Sequence, residues 1–278
     1  MSLDAALSEK TLFDVVRDVW RAKFYLLFFG FIFAGMAFAF ITMANQFYRA
    51  EMIIAPANHM GQGMQGASLI GEGSIRIRHE DLQSTAAFVR FESIYNGVSV
   101  ASILVKDKEI LAALAFDRAF EFSKAKTGWS AEVFSEYLKK RVKLEPISGT
   151  PLRKLIYLHP DPKFAAYMIG RVHSITDEII RARISLETNE RIRYLNNQMI
   201  ATNNPDHRRS LVGLLMEQER LRMMVSLDQP YAANIIEPQS VSSRPRWPDP
   251  YVIYPVFIFA GLFLGFLIFG FVRHGRNE

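Results

Sequence analysis

The chain contains no cysteine in its 278 residues. That excludes disulfide staples, thiolate metal sites and a thiol nucleophile. It also suits an oxidising compartment, where a stray thiol is a hazard. No Gly-x-Ser-x-Gly elbow, His-Glu-x-x-His pair or Gly-rich loop ending in Gly-Lys-Ser/Thr occurs, so the patterns of serine hydrolases, zinc proteases and P-loop nucleotide binders are missing. The six histidines, His59, His79, His159, His173, His207 and His274, are scattered without metal-ligand spacing. The net charge of +5 is spread along the chain with no basic, aromatic-interleaved stripe, which argues against nucleic acid as a partner. A non-enzymatic protein without metal or cofactor is expected.

What the chain has in abundance is apolar surface. Half of its residues are hydrophobic and mean hydropathy is +0.06. Two blocks hold no charge at all: Phe24–Met43 and Val252–Val272. Each would span about 30 Å as a helix, the thickness of a bilayer core. Trp20 and Tyr25 open the first block, and Trp247, Tyr251 and Tyr254 open the second, as interfacial aromatic belts do. Lys10, Arg17, Arg21 and Lys23 precede the first; Arg273 and Arg276 follow the second. This basic excess outvotes Arg49, Arg244 and Arg246 and puts both ends in the cytoplasm. A cleaved leader is the rival reading of the first block, but its charged and apolar regions are too long for one. The expected organisation is a cytoplasmic segment 1–23, a span 24–43, an outer domain 44–251, a span 252–272 and a cytoplasmic tail 273–278.

Within the outer domain, Tyr48, Ala50, Met52 and Ile54 alternate, predicting a strand over Gln46–Ala55. Met60–Gly73 carries five glycines and reads as a flexible loop. Helices are expected over Asp81–Tyr95, Ala101–Phe116 and, capped by Ser130, Ala131–Arg141. Val142–Pro146 and Leu155–His159 read as strands about a Ser148–Pro151 turn. From Lys163 to Thr202 there is no proline and Gly170 is the only glycine. Met168, Val172, Ile175, Ile179, Ala182 and Leu186 form a coiled-coil-like seam there, resumed by Ile192, Leu195 and Met199. Asp177 with Arg181, and Glu187 with Arg191, are acid-before-base pairs at i,i+4. After Asn203-Asn204-Pro205, with Asp206 as the expected cap, a second helix carries Leu211, Leu214, Leu215, Leu221 and Val225 on one side. Tyr231–Ser240 then reads as a returning strand. The predicted fold class is an α+β membrane protein: two transmembrane helices flank a periplasmic α/β base (46–160 and 230–243) with a long projecting helical hairpin (161–228). A lone hairpin cannot bury its seam on both sides, so either neighbouring copies cover it in a homo-oligomer or it folds back on its own base.

These segments resemble the polysaccharide co-polymerases, the Wzz-type chain-length determinants of bacterial O-antigen, capsule and exopolysaccharide. YRAEMIIAP is similar to that family's first periplasmic strand, and HPDPKFAAYMIGRV to the start of its long helix. Pro238–Pro255, running into Gly261 and Gly265, resembles its Pro/Gly-rich second span. The periplasmic part is shorter than usual and the proline spacing differs. The short tail without a nucleotide-binding loop resembles the kinase-free class. The resemblance implies an inner-membrane homo-oligomeric scaffold that regulates polysaccharide length or export. Its implied partners are membrane lipid, a polymerase or ABC exporter, and the growing glycan. Alternatives are a periplasmic adaptor of a secretion or efflux complex and a two-span receptor lacking its own output domain.

The candidate functional residues follow. Pro245, Pro248 and Pro250 would stiffen the entry to the second span, and Pro255 would sit in its first turn. Gly261 and Gly265 form GxxxG, which lets two helices approach closely in lipid, against the first span, a neighbour or a polymerase; Gly30 and Gly35 are candidates for the facing surface. Arg208 and Arg209 at the hairpin tip could touch glycan or a partner, or simply be solvated.

Overall fold

Strand β1, Tyr48–Pro56, is the hub of a four-stranded sheet. Strand β2 is Lys143–Pro146, β3 is Arg153–His159 and β4 is Ala233–Val241; the order is β2-β3-β1-β4, antiparallel throughout. The structure is a computed structural model that describes residue 20 and residues 22–57, 86–120 and 128–274. The Met60–Gly73 loop and residues 81–85 of the first expected helix lie outside the described residues. The helices are α1 (Lys23–Met43), α2 (86–94), α3 (Val98–Leu104), α4 (Lys108–Leu114), α5 (Ala131–Arg141), α6 (Pro162–Ala201), α7 (Pro205–Ser226) and α8 (Pro250–His274).

The chain divides into two compact units. One holds the sheet and helices α2 to α7. Ala50, Met52 and Ile54 of β1 and Leu155, Tyr157 and His159 of β3 are buried. Phe164, Ala165, Met168, Ile169 and Val172 of α6 join the same core, as do Phe88 and Phe91 of α2 and Phe134 and Leu138 of α5. The other sheet face carries charge: Glu51 pairs with Arg49 and Lys154, each at 3.4 Å. In β4 the register against β1 shifts between Glu51 and Ile53, beside Pro238. A proline, lacking a donor, is tolerated at a bulge on an edge strand. Pro238 therefore belongs to the sheet, not to the approach to the second apolar helix. Gly149 closes the β2–β3 turn at φ +76°, a conformation open to glycine.

Three expectations change in this unit. The single helix expected over Ala101–Phe116 is two, α3 and α4. Asp107 separates them, its carboxylate accepting from Glu109 N (3.0 Å) and Ile110 N (3.4 Å). Aspartate is weak inside a helix and strong at its start. The cap of α7 is Asn204, whose side chain accepts from Asp206 N and His207 N, so Asp206 lies inside the first turn. The seam of α6 also differs. Phe164, Met168, Val172, Thr176, Ile180, Ile184, Thr188 and Ile192 are all buried, a strict four-residue row. Such a row drifts about 40° per step around the helix. Ala182 and Leu186, on the expected heptad line, are left exposed.

Helix α6 has 40 residues, about 60 Å of rise. Its first half is core. Beyond Ser185 burial narrows to Thr188, Ile192 and Leu195, with Leu211 and Leu221 buried on α7. Proximally the hairpin packs on its own base, one of the two alternatives expected for its seam; distally its buried residues lie between α6 and α7.

The second unit contains α1, α8, Ala119 and Phe120. Helices α1 and α8 have mean hydropathy 2.3 and 2.5, and only 6% and 11% of their apolar windows is buried. Core helices would be covered; here Phe24, Phe31, Phe259 and Phe271 are at least 70% exposed. Among the described residues these two helices are, by length and composition, long and apolar enough to cross a membrane.

Candidate functional site

Helices α1 and α8 touch along one stripe each. Among the described positions of α8, the buried ones are Gly261 and Gly265. A Cβ at Gly261 would stand 2.8 Å from both the Phe29 carbonyl oxygen and the Phe33 Cβ; one at Gly265 would lie 3.0 Å from the Tyr25 oxygen. The GxxxG pair seats on the same chain's first apolar helix, backbone against backbone. Gly30 faces Leu262 at ordinary contact distance, whereas Gly35 meets nothing within 4 Å. Tyr25 lies against Phe269 and Phe40 against Phe257, so the two helices run antiparallel.

The prolines have separate roles. Pro245 and Pro248 lie in the irregular stretch before α8. Pro250 is the first residue of the helix itself, where a missing donor costs nothing. Asp249 caps it, accepting from Tyr251 N at 3.0 Å. Because α8 starts earlier than expected, Pro255 falls beyond the first turn, inside the helix. It leaves the Tyr251 carbonyl without its helical partner.

Sequence reasoning did not find the part played by Ala119 and Phe120. The Asn45 N–H donates to the Ala119 carbonyl at 2.9 Å, and Ala44 bridges Phe120. The Phe120 ring then lies 5.4 Å from Phe40 and 6.4 Å from Trp247. A residue from mid-chain thus completes an aromatic cluster at the end of α1. The phenylalanine after a charged Asp117-Arg118 pair was the available signal, and it is too weak to read alone.

At the hairpin tip, Arg209 pairs with Asp206 at 3.2 Å, both side chains more than 80% exposed. Arg208 reaches the Met199 carbonyl at 3.5 Å, a marginal bond. The tip presents two solvated guanidiniums and no enclosed site.

Two buried polar networks fix the α/β unit. The Asp177 carboxylate accepts from the Tyr231 and Ala232 amides at 2.8 and 2.7 Å and from Arg181 at 3.0 Å. Arg181 also donates to the Leu227 and Gln229 carbonyls, so the pair ties the α7–β4 turn to α6. Nearby, His173 donates to the Ala233 carbonyl at 2.8 Å, and burial lowers its pKa. In the second network Tyr137 donates to Asp117 (2.7 Å) and meets the Tyr157 hydroxyl (2.6 Å), while Arg141 holds the other Asp117 oxygen at 2.9 Å. Burial drives both tyrosine pKa values up, so these hydroxyls stay protonated. His159, buried beside them, accepts from Asp161 N at 3.0 Å, and desolvation lowers its pKa. Among the described residues no group of three or more acidic or histidine side chains could hold a metal.

An antiparallel apolar helix pair and an α/β unit bearing a long helical hairpin therefore define the class of architecture. No protein-family model matches the chain, and no curated protein matches its sequence. Among solved structures, one described as a full-length bacterial polysaccharide co-polymerase aligns over 96% of this chain and 99% of its own, at 13% identity and a TM-score of 0.45. No residue role transfers across so distant a likeness.

Proposed function

We propose that the chain is a non-enzymatic scaffold of the bacterial inner membrane, a polysaccharide co-polymerase that regulates the length or export of a surface polysaccharide. The observation that carries this reading is the pairing of α1 with α8 through Gly261 and Gly265, on either side of a single sheet-and-hairpin unit. Two mutually packed, lipid-compatible helices make one anchor, and everything between them is held on one side of it. The three segments that resemble the family fall on the elements such a scaffold needs. YRAEMIIAP is the whole of β1; HPDPKFAAYMIGRV caps and opens α6; the proline-rich passage enters α8.

In this reading both termini are cytoplasmic and the α/β unit is periplasmic. The hairpin leaves Leu186, Tyr194, Ile200, Leu214, Met216 and Met223 at least half exposed. That is more apolar surface than a monomer usually shows, and copies of the chain around a closed ring would cover it. The ring would act by setting how long the growing glycan stays engaged, with the polymerase or ABC exporter contacting the spans.

The test is deletion and complementation in the source bacterium, with surface polysaccharide resolved by size. Loss of the chain should replace a preferred length with a broad or short distribution, restored by the intact chain and not by Gly265→Leu. An unchanged size profile after deletion would refute the role.

A further inference from the structure

Proximal on the hairpin, α2, α6 and α7 border a small half-open cavity of about 130 Å³, lined among others by Arg90, Glu187, Thr188, Arg191, Leu221 and Tyr231. Thr188 is 1% exposed, and its Oγ1 has no hydrogen-bond partner. A helical threonine ordinarily returns its hydroxyl to the preceding turn. Leaving it unpaired in a buried place costs free energy unless something else accepts or donates there.

The charges point the same way. Glu187, expected to pair with Arg191, pairs with Arg183 instead at 3.2 Å. Neither Arg191 nor Arg90 has a carboxylate partner among the described residues. Among the described residues, two guanidiniums without a carboxylate partner thus line a cavity beside one partnerless hydroxyl. The cavity shares Glu187 and Arg191 with an adjoining open depression of about 380 Å³ that also takes in Tyr194. Tyr194 is 63% exposed and three residues on from Arg191, hence on the same helix face.

We propose that this groove binds an acidic sugar: its carboxylate at Arg90 and Arg191, with the Thr188 hydroxyl inside the cavity and the Tyr194 ring beneath the pyranose. A guanidinium fork matches a carboxylate in two parallel bonds. A ring face suits the apolar C–H side of a sugar, and a tyrosine contributes that area at low entropic cost. Glu187 beside them would accept from sugar hydroxyls. The sugar half of this assignment rests on the proposed polysaccharide role; the anion half stands on the cavity alone.

The test uses the full chain in detergent micelles, titrated calorimetrically with oligogalacturonate, with an uncharged glucan oligosaccharide and with inorganic phosphate. Oligogalacturonate should bind and the glucan should not. Arg90→Gln and Arg191→Gln should each weaken binding about ten- to a hundredfold, the loss of one charge-assisted bidentate contact. Tyr194→Ala should weaken oligogalacturonate too. Thr188→Val should weaken binding while raising the thermal midpoint, since it removes an unpaired buried hydroxyl. No binding of oligogalacturonate, or binding indifferent to Arg90→Gln and Arg191→Gln, would overturn the site. Full competition by phosphate with no effect of Tyr194→Ala would also overturn it, leaving only an anion hole. If purified chain binds oligogalacturonate while deletion leaves polysaccharide length unchanged, the co-polymerase role fails and the site stands. A length phenotype without binding would sink the site alone.

Discussion

Asp177 does more for this fold than its position on a helix suggests. As one half of an i,i+4 pair it would contribute a few tenths of a kcal/mol. Its two backbone amides and a mostly buried arginine make it a different object. Asp177→Ala should cost about 3–5 kcal/mol, because it strands a guanidinium and two amides, and thermal unfolding by circular dichroism in detergent would read the loss. Arg183→Ala, which breaks the exposed pair with Glu187, should cost less than about 1 kcal/mol in the same assay. The histidines add a pH dependence. Burial lowers the folded-state pKa of His159 and His173 below 6.5. The unfolded chain therefore binds more protons below that value, and stability falls as pH drops through 6.5. Above it their contribution is constant. A melt series from pH 8 to pH 5 should show this loss, and the double variant His159→Asn, His173→Asn should flatten it. The sequence named the Asp177–Arg181 pair but could not show the turn it holds, because its partners are backbone groups about 50 residues on.

Among the elements, the apolar helices and α6 were the most legible. Bilayer thickness fixes the length of a span, and a run of 40 residues without proline leaves little but helix. The α3–α4 break was not legible, since the apolar period runs across Asp107 and only the cap geometry interrupts it. Nor was the burial line of α6, which depends on the sheet and α7 covering different sides of the helix as it rises. Helix–helix packing in α1 and α8 gives a direct prediction. With no cysteine in the chain, Gly30→Cys with Leu262→Cys should cross-link within one chain on oxidation. Adding Gly261→Leu should abolish that cross-link, because its side chain has no room against Phe29 and Phe33. A cross-link that survived would mean the helices do not pack on this stripe. Gly213, in the interior of α7 with nothing within 4 Å of its Cβ position, is the opposite case. Gly213→Ala should raise stability by about 0.5–1 kcal/mol in the same thermal assay.

At the scale of the whole chain, the order apolar helix, strand, helices, hairpin, strand, apolar helix was readable because each segment has its own period and its own stops. The place of Ala119 and Phe120 beside the apolar helix pair was not, since it rests on one backbone bond, one bridge and ring contacts that leave no periodic trace. The reading of function depends on that order: two anchors in lipid with the sheet and hairpin held together on the far side of the membrane. Paired alkaline phosphatase and fluorescent-protein fusions test it most directly, one at Asn203 in the hairpin turn and one after Glu278. The account predicts phosphatase activity only at Asn203 and fluorescence only at the C-terminus. Both fusions reporting the same compartment would contradict it.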